Sequence, residues 1–403
     1  MLLEFSCSNV RSIREEVKLD LRAKNDDTFE ANLINFENDR INAACAIYGS
    51  NATGKTSILT AMGMMKNMVI SSHLLQPGDM LIRIPHRLWQ EKPTGYSMTF
   101  VWEKIRYEYS FSYNDTHILK ETLSYYPNGR ITVIFNRDGN KVKVNEKFSR
   151  IETLCKEKLV QNKLLLSLIA NNLNYEEILN AFLFYKEGLV ILMNDNNNWL
   201  EYSANKMEHD KVIKDMFLKF MKDTGSDIQD IKTKSERRVL TSQELPKDMP
   251  PAIRAMVLNQ PTIFTTVKTI YKGFSLDIAE ESMGTQKLIR LMCPIMDIFQ
   301  KDKTFVCDEI ESHLHPLIIR QLITRFIRGK GSKAQIICAT HNVEMLDLNL
   351  FRRDQIYFTD INPDFHRTKL FSLSTLPCRK DENVQKKYLE SKYCKVPKDV
   401  WNV

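Results

Sequence analysis

Four residues in the first part of the chain have the types and spacing of a phosphate-binding loop. They match the pattern G-x-x-x-x-G-K-[ST] and are Gly49, Gly54, Lys55 and Thr56. In a loop of this kind the glycines allow backbone N–H groups to surround a phosphate, the lysine reaches the β- and γ-phosphate oxygens, and the hydroxyl binds Mg²⁺. The pattern therefore predicts a site for a nucleoside triphosphate with Mg²⁺.

The segments on either side of this loop support the prediction. Residues 43–48 form a short apolar run of the buried-strand type, and residues 57–70 carry apolar side chains at helical spacing. Strand, glycine loop and helix, in that order, is the arrangement that such a site requires. An ordinary glycine turn would need neither flank, so the pattern favours a nucleotide site.

Polar side chains also follow two apolar runs in the second half of the chain. Asp308 and Glu309 come directly after residues 305–307, and His341 follows the run at 335–339. If both runs are strands of one parallel sheet with the strand at 43–48, their carboxyl ends meet at one edge. There Asp308 could hold Mg²⁺, Glu309 could orient or deprotonate an attacking water, and His341 could contact the γ-phosphate. Acids at strand ends and single histidines are also common structural features, so the prediction depends on this shared edge.

Two further positions have both a functional and a structural interpretation. Ser282 and Gly284 open an apolar helix, where they form either an anion site or an ordinary N-cap. Arg11 lies in the polar turn at 9–16 between two apolar segments. It is either a solvated turn residue or a basic residue beside the nucleotide.

Composition sets wide limits on the function. The chain has 403 residues and a formal net charge of +7, which is too small an average to indicate nucleic acid, so binding of DNA or RNA stays open. No apolar run approaches the roughly 18 residues of a membrane helix, and charges stand where a signal peptide is apolar. We expect a cytoplasmic protein with no membrane contact. The 8 cysteines form no C-x-x-C pair and are expected to be reduced core residues.

The pattern of apolar residues changes several times along the chain. Alternating segments between residues 97 and 136 predict an antiparallel β region. Helical spacing from about residue 148 to 220, interrupted by a loop at 194–199, predicts an inserted helical lobe whose apolar residues are either core or a partner surface. The polar, proline-containing segment 235–261 is expected to be a mobile excursion outside the sheet.

The order of these motifs resembles a known class of ATPase. The glycine loop, ESMGTQ at 281–286, FVCDEIESHLHP at 305–316 and ATHN at 339–342 are similar to the ABC-type ATPase heads of the SMC, Rad50, RecF and OLD group. The opening LLEFSCSNVRSI, the ending RRDQIYFTDINPDFHRTKLFSLSTL and the tail YLESKYCKVP more closely resemble the AAA15 ATPases typified by RloA and the abortive-infection AbiL ATPase. The resemblance spans nearly the whole chain and is least specific in the helical middle.

This resemblance implies a fold and a set of roles. The fold would be α/β, an ABC-type ATPase head with a mixed sheet, an antiparallel β region and an inserted helical lobe. Its parts would be a first ATPase half at 1–147, the helical insertion at 148–260 and the second ATPase half at 261–403. Residues 49–57, with Asn51 and Ser57, would form the ATP-binding Walker A loop, and 282–286 would form the signature. Asp308 and Glu309 would be the Walker B acids, and His341 the switch histidine.

The resemblance also implies a function. The protein would bind and hydrolyse ATP with Mg²⁺, dimerise head to tail around two ATP molecules, and control a separately encoded effector, often nuclease-like, in bacterial defence against phage. Oligomers larger than the homodimer stay open. Met283 and Thr285 stand where transporters have a glycine-rich LSGGQ, which argues against a transporter subunit. The segment 85–91 offers only Gln90 as a candidate for the loop that joins the lobes.

Two alternative functions are less well supported by the sequence. A RecF- or Rad50-like ATPase of DNA repair would bind DNA directly, and long heptads with a zinc-hook cysteine pair would favour it; the sequence contains neither. An OLD-like nuclease would need an acidic metal-binding domain after the ATPase. The residues that follow His341 contain no D-x-D, so we expect no such domain in this chain.

Overall fold

The computed structural model describes residues 1–25, 28–193, 197–241, 258, 261–329, 331–379 and 382–396, without the side chains of 197–198 and 261–263. The strands are β1 Leu2–Ser8, β2 Val17–Asp20, β3 Leu33–Phe36, β4 Asp39–Asn42, β5 Ala44–Tyr48, β6 Thr94–Trp102, β7 Ile105–Tyr113, β8 Ile118–Tyr125, β9 Thr132–Asp138, β10 Lys141–Val144, β11 Leu189–Leu192, β12 Asp230–Val239, β13 Pro261–Tyr271, β14 Phe274–Asp277, β15 Thr304–Asp308, β16 Gln335–Ala339, β17 Ile356–Asn362 and β18 Arg367–Ser372. The α-helices are α1 Lys55–Ser71, α2 Arg150–Lys158, α3 Leu165–Ala170, α4 Glu176–Leu183, α5 Asn197–His209, α6 Lys211–Asp223, α7 Met283–Gln300, α8 Pro316–Arg328 and α9 Val384–Leu389.

The phosphate loop and the second-half acids come from one sheet with the order β11-β15-β16-β5-β17-β18. Neighbouring strands from β11 to β17 are parallel, and β18 returns antiparallel to β17. All residues of β5 and β16 are buried, which explains why these strands are continuous apolar runs. Asp308 pairs with Ala339, and Ala339 pairs with Ile47, so the carboxyl ends of β15, β16 and β5 lie level at one edge.

A second sheet confirms the predicted antiparallel β region. Its order is β10-β9-β8-β7-β6-β1-β2, and consecutive neighbours are antiparallel. Along β7 the buried side chains alternate with less buried ones, which is the pattern of a sheet with one face on the core. One hydrophobic core contains residues of this sheet, of α1 and of the parallel sheet. The observed architecture is thus the mixed α/β fold that the sequence predicts.

The described chain divides into two compact units. The first consists of Met1–Met193, Ile298–Ser312 and Ile319–Val403, and the second of Asn194–Asp297 and His313–Ile318. The helices α2, α3 and α4 belong to the first unit, where Ile151, Leu165 and Ile178 are fully buried in its core. The domain boundaries predicted from the sequence remain a prediction.

One part of the predicted helical segment is a strand. The sequence favours helix through residue 192, but the helix α4 ends at Leu183 and residues 189–192 form β11 at the edge of the parallel sheet. Val190 pairs there with Phe305, and Ile191 with Val306. The prediction was wrong because a short apolar run fits either structure, and the choice is made by pairing with β15, which lies more than a hundred residues later.

The second unit corrects two other local predictions. The predicted loop at 194–199 is helical from Asn197 onward, and 194–196 lie outside the described residues. The predicted excursion begins as strand, because residues 235–239 continue β12, where Ser235 pairs with Thr265 of β13. Residues 242–257 and 259–260 of that excursion lie outside the described part of the chain.

All eight cysteines are free thiols, and seven of them are buried, as the sequence analysis expects of core residues. Among the described residues, no helix combines the length and the apolar character that a membrane crossing requires.

Candidate functional site

The glycine loop joins the buried strand β5 to the helix α1, and both pattern glycines are needed there for steric reasons. Gly54 caps α1 with a φ of 105°, a conformation that residues with a Cβ rarely adopt. A Cβ on Gly54 would collide with the hydroxyl of Thr368, and a Cβ on Gly49 would lie 2.8 Å from the carbonyl oxygen of Thr359. The loop is therefore a close-fitting turn whose backbone leads directly into a helix N-terminus, as phosphate binding requires.

Lys55 is folded back over this loop. Its Nζ donates to the carbonyl oxygens of Gly49 at 2.8 Å and Ser50 at 3.0 Å, and only 6% of the residue is exposed. Burial lowers the pKa of Lys55, while the charges of Asp308 and Glu309 act in the opposite direction. An ammonium group has three N–H donors. Two are used within the loop, so the third is available to a phosphate oxygen.

Thr56 and Asp308 form the link between the loop and the strand β15. The Thr56 hydroxyl donates to Oδ2 of Asp308 at 2.7 Å. The other carboxylate oxygen, Oδ1, is buried and has no hydrogen-bond partner in the described part of the protein. A buried carboxylate oxygen without a partner is costly unless a ligand completes it, and a hydroxyl beside a carboxylate is the oxygen-only donor set that Mg²⁺ prefers. These residues therefore fit Mg²⁺.

Glu309 follows Asp308 with a φ of 45°, the left-handed conformation. Its N–H donates to the carbonyl oxygen of Ala339 at 3.0 Å, which holds the residue at the end of β16. The side chain is 59% exposed, and Oε1 lies 3.9 Å from Nε2 of His341. Glu309 lines the same cavity as Lys55 and Thr56 of the loop. A non-glycine residue in this sparsely populated conformation is typical of a functional site.

His341 lies at the carboxyl end of β16 and is held by Glu311. The backbone N–H of His341 and the hydroxyl of Thr340 each donate to Oε1 of Glu311 at 2.7 Å. Burial lowers the pKa of His341, and the nearby charge of Lys55 lowers it further. The imidazole is therefore neutral at neutral pH, with a nitrogen able to accept or donate one hydrogen bond.

These groups surround a cavity of about 430 Å³ in the first unit. Its lining residues come from the turn after β1, the glycine loop, the start of α1, and the ends of β15 and β16: Arg11, Ser12, Asn51, Ala52, Gly54, Lys55, Thr56, Ser57, Glu309 and His341. Gly49 and Asp308 are not among these lining residues, but each makes a hydrogen bond with one of them, Gly49 with Lys55 and Asp308 with Thr56. The structure thus brings the sequence-predicted residues of the first unit to one place.

Arg11 lines this cavity and also a neighbouring one of about 760 Å³. It has a φ of 51°, and its backbone N–H donates to the carbonyl oxygen of Ile84 at 2.7 Å. Its guanidinium donates to the Thr60 hydroxyl at 3.1 Å. Gln90, the candidate for the lobe-joining loop, lines the larger cavity together with Arg11 and not the cavity beside Lys55. Its side-chain amide donates to the carbonyl oxygen of Arg87 at 3.3 Å.

The signature candidates lie in the second unit. The hydroxyl of Ser282 accepts a hydrogen bond from the N–H of Thr285 at 3.2 Å, which is an N-cap interaction at the start of α7. A Cβ on Gly284 would lie 2.7 Å from the carbonyl oxygen of His313, so glycine is required for this close approach. The preceding Glu281 is buried and accepts a hydrogen bond from the Tyr271 hydroxyl at 2.8 Å.

Comparison with known proteins assigns the chain to a family. Residues 45–347, about three quarters of the chain, match the AAA_21 family, described as "AAA domain, putative AbiEii toxin, Type IV TA system". The chain belongs to this family. As a member of the AAA_21 family it is a P-loop protein of the ATPase class, and the closer likeness to the RloA and AbiL ATPases stays a prediction. No curated protein matches the sequence.

Solved structures of SMC heads resemble this AAA_21 family member over most of its length. The SMC head domain from Thermotoga maritima is 12% identical with a TM-score of 0.39, and the similarity covers 92% of this chain and 98% of that one. The Smc head domain with an extended coiled coil bound to the C-terminal domain of ScpA, from Pyrococcus furiosus, is 14% identical with a TM-score of 0.39, covering 92% and 96%.

Several residues of the site escaped the sequence analysis of this AAA_21 protein. Ser12 shares a hydrogen bond of 2.9 Å with the hydroxyl of Ser57, and the Thr368 hydroxyl lies 2.8 Å from Ser12 and 3.0 Å from the carbonyl oxygen of Thr53. Hydroxyl side chains are common in turns, so no local sequence pattern identifies Ser12 or Thr368 as part of a binding site. The position of Ser12 directly after Arg11, in the turn already considered, was the one available signal.

Proposed function

We propose that this protein binds ATP with Mg²⁺ in the cavity beside Lys55 and hydrolyses it as part of a molecular switch. The observation that carries the proposal is the contact between Thr56 and Asp308, in which one carboxylate oxygen accepts a hydrogen bond from the hydroxyl and the other is buried with no partner among the described residues. Such a pair is an incomplete set of oxygen ligands beside a phosphate-binding loop. Membership of the AAA_21 family supports the same function.

Each residue of the cavity has a role in this proposal. ATP supplies the phosphoanhydride bond that is cleaved, and Mg²⁺ neutralises charge on its phosphates. Lys55 binds phosphate oxygens with its remaining N–H, and Thr56 and Asp308 hold the metal. Glu309 orients the attacking water and accepts its proton, and the neutral imidazole of His341 contacts the terminal phosphate. Asn51, Ser57 and Arg11 complete the nucleotide contacts.

The active form in this proposal is a head-to-tail dimer. Ser282 and Gly284 form an anion site at the N-terminus of α7, and a second protomer presents them to the nucleotide held by Lys55. Two ATP molecules then occupy one symmetric interface, in which each protomer contributes both kinds of site. ATP binding favours the dimer, and hydrolysis releases it.

The switch acts on a partner. The description of the AAA_21 family names a putative AbiEii toxin and a type IV toxin–antitoxin system. This description supports a role in abortive infection. We propose a separately encoded effector, of a nuclease-like kind, whose binding depends on the nucleotide state of the dimer. A ligand shifts such an equilibrium only by its differential affinity for the two states, and about 3 kcal/mol changes partner retention roughly a hundredfold.

Co-purification from the native locus tests the proposed switch. The protein is isolated with its neighbours in the absence of ATP, in its presence, and as the Glu309→Gln variant with ATP, which should hold the ATP-bound state. We expect one partner whose recovery differs between the nucleotide-free and the ATP-bound samples. If the protein purifies alone in all three samples and binds duplex DNA tightly with a steep salt dependence, a DNA clamp of the RecF or Rad50 kind replaces this function.

A further inference from the structure

The cavity beside Lys55 adjoins the larger cavity of about 760 Å³, because Arg11 and Ser12 line both. The other walls of the larger cavity are formed by residues of the segment 83–90, which precedes β6, and by the loop 363–366 between β17 and β18. All of these residues belong to the first unit. A ligand bound beside Lys55 therefore has space to extend past Arg11.

The two cavities differ in chemical character. Among the described residues that line the cavity beside Lys55, only Ala52 has an apolar side chain. The larger cavity has apolar side chains on both of its other walls, Ile84 and Leu88 on one and Phe365 on the other. Leu88 is 61% exposed and Phe365 is 45% exposed. A polar cavity next to an apolar one fits a ligand with a charged end and a flat, largely apolar end, and a nucleotide is such a ligand.

The proposed catalytic residues set the direction of the triphosphate. Glu309 and His341 line the cavity beside Lys55, where the terminal phosphate is cleaved, and do not line the larger cavity. The lysine of a phosphate loop reaches the β- and γ-phosphates, so the nucleoside end of ATP leaves this cavity by another side. Arg11 and Ser12 mark that side, because they also line the larger cavity.

One wall of the larger cavity is fixed to the turn that carries Arg11. Asn9 of this turn is 1% exposed, and its Oδ1 accepts a hydrogen bond from the N–H of His86 at 2.9 Å. Its Nδ2 donates to the carbonyl oxygens of Trp89 at 3.0 Å and Lys92 at 2.6 Å. A buried amide that bonds three residues of one segment restricts that segment to one conformation. This wall is therefore preorganised for a ligand.

The second apolar wall is held by the first. Nε2 of His86 donates to the carbonyl oxygen of His366 at 3.2 Å. The guanidinium of Arg14 lies 4.9 Å from the ring centroid of Trp89 and 4.7 Å from that of Phe365, so one cation contacts an aromatic ring from each wall. These contacts hold the two walls at a fixed separation with the larger cavity between them.

We propose that the base and ribose of ATP bind in the larger cavity, with the base against Phe365 and Leu88. This inference rests on the proposed ATP binding and assigns the second half of the same site. Inorganic tripolyphosphate carries the phosphates of ATP without the nucleoside. A change in the apolar wall should therefore weaken ATP and leave tripolyphosphate unaffected.

Removal of the exposed ring tests this difference. Phe365→Ala takes apolar surface from the larger cavity and leaves the residues that line the cavity beside Lys55 unchanged. Phe274→Ala is the matched control, since Phe274 is an exposed phenylalanine of β14 that lines neither cavity. We measure the dissociation constants of ATP and of inorganic tripolyphosphate, with Mg²⁺, for the wild-type protein and both variants.

We expect Phe365→Ala to weaken ATP by roughly 5- to 150-fold, the effect of one contact between a base and an aromatic ring, and to leave tripolyphosphate within about twofold. Phe274→Ala should leave both constants unchanged. Equal weakening of the two ligands by Phe365→Ala, or no weakening of ATP, would overturn the inference while ATP binding by the wild-type protein stands. A wild-type protein that binds neither ligand would contradict the proposed function, and the inference with it.

A second measurement needs no variant. An ATP analogue with a photoreactive azide on its base should, on irradiation, label peptides that contain residues 84–90 or 363–366, and an excess of ATP should prevent this labelling. Mass spectrometry of the digested protein identifies the labelled peptides. Labelling that ATP prevents but that is confined to other parts of the chain would place the base elsewhere and overturn the inference.

Discussion

The hydroxyl of Thr56 lies 2.7 Å from Oδ2 of Asp308, although the two residues are 252 positions apart in the chain. The first belongs to the helix that begins at the glycine loop, and the second ends a strand in the far half of the sequence. Their contact joins the glycine loop and the start of α1 to the acidic end of β15. The second carboxylate oxygen of Asp308 has no partner in the described part of the chain, so it is the oxygen that a bound cation would complete.

Replacing Asp308 by Asn should separate Mg²⁺ binding from ATP binding. The amide still accepts the Thr56 hydroxyl but has lost the charge that attracts a metal. We expect the Mg²⁺-dependent part of ATP affinity to fall at least about tenfold, with little change in affinity when EDTA is present. Titration calorimetry at several Mg²⁺ concentrations measures this. Asp215→Asn, at an exposed position of α6, is the control, and equal Mg²⁺ dependence in all three proteins would contradict the assignment.

Glu309→Gln should bind ATP and fail to hydrolyse it. The substitution keeps the shape of the side chain and its place beside His341 but removes the base that accepts a proton from water. We expect ATP affinity within about twofold of the wild type and a turnover rate lower by roughly 10² to 10⁴. Phosphate release under saturating ATP is the measurement. Glu344→Gln, an exposed acid in the turn after His341, should hydrolyse ATP normally; a Glu309→Gln variant that does the same refutes the catalytic role.

The dimer predicts complementation between two inactive chains. Lys55→Ala removes the phosphate-binding cation, and Ser282→Arg places a large side chain at an exposed position of the signature without disturbing the close contact at Gly284. In an equal mixture half of the dimers are mixed, and each has one intact composite site. ATPase activity should therefore recover to about a quarter of the wild-type value if the sites act independently. A mixture as inactive as its components would argue against shared sites.

The lowered pKa of His341 predicts how stability changes with pH. Burial, followed by the charge of Lys55, makes the folded protein bind this proton less readily than the unfolded chain does. As the pH falls through the ordinary histidine value of about 6.5 towards the lower folded value, the unfolded state takes up the proton first and stability decreases. His341→Asn should lose less melting temperature between pH 8 and pH 5 than the wild type. Parallel curves for the two proteins would mean that His341 does not contribute.

The parts of the fold that were predicted correctly are those in which local pattern and final structure agree. The strand at 105–113 lies in the predicted antiparallel region between residues 97 and 136, where the alternation of apolar and polar residues is visible in the sequence itself. The short runs at 189–192 and 235–239 were misassigned. Each forms a strand only because a distant partner is available, β15 for the first and β13 for the second.

The residues of the candidate site also fall into those that the sequence predicts and those that it does not. The glycine loop could be identified from sequence because its function needs particular residues at fixed spacing within one turn of chain. Asp308, Glu309 and His341 could be proposed because each follows an apolar strand. The hydrogen bonds that Ser12 makes with Ser57 and Thr368 could not be predicted. Hydroxyl side chains form no sequence pattern that distinguishes a binding site from a solvated turn.

The sequence by itself determined the P-loop ATPase class, the residue types of the phosphate loop and the acids at the strand ends, because those properties depend on neighbouring residues and on periodicity. Only the tertiary structure decided that Thr56 meets Asp308 and that Glu311 holds His341. The contact between Thr56 and Asp308 joins residues that are 252 positions apart. The parallel sheet brings them together through the register of its strands, and register is a property of paired strands that no single segment contains.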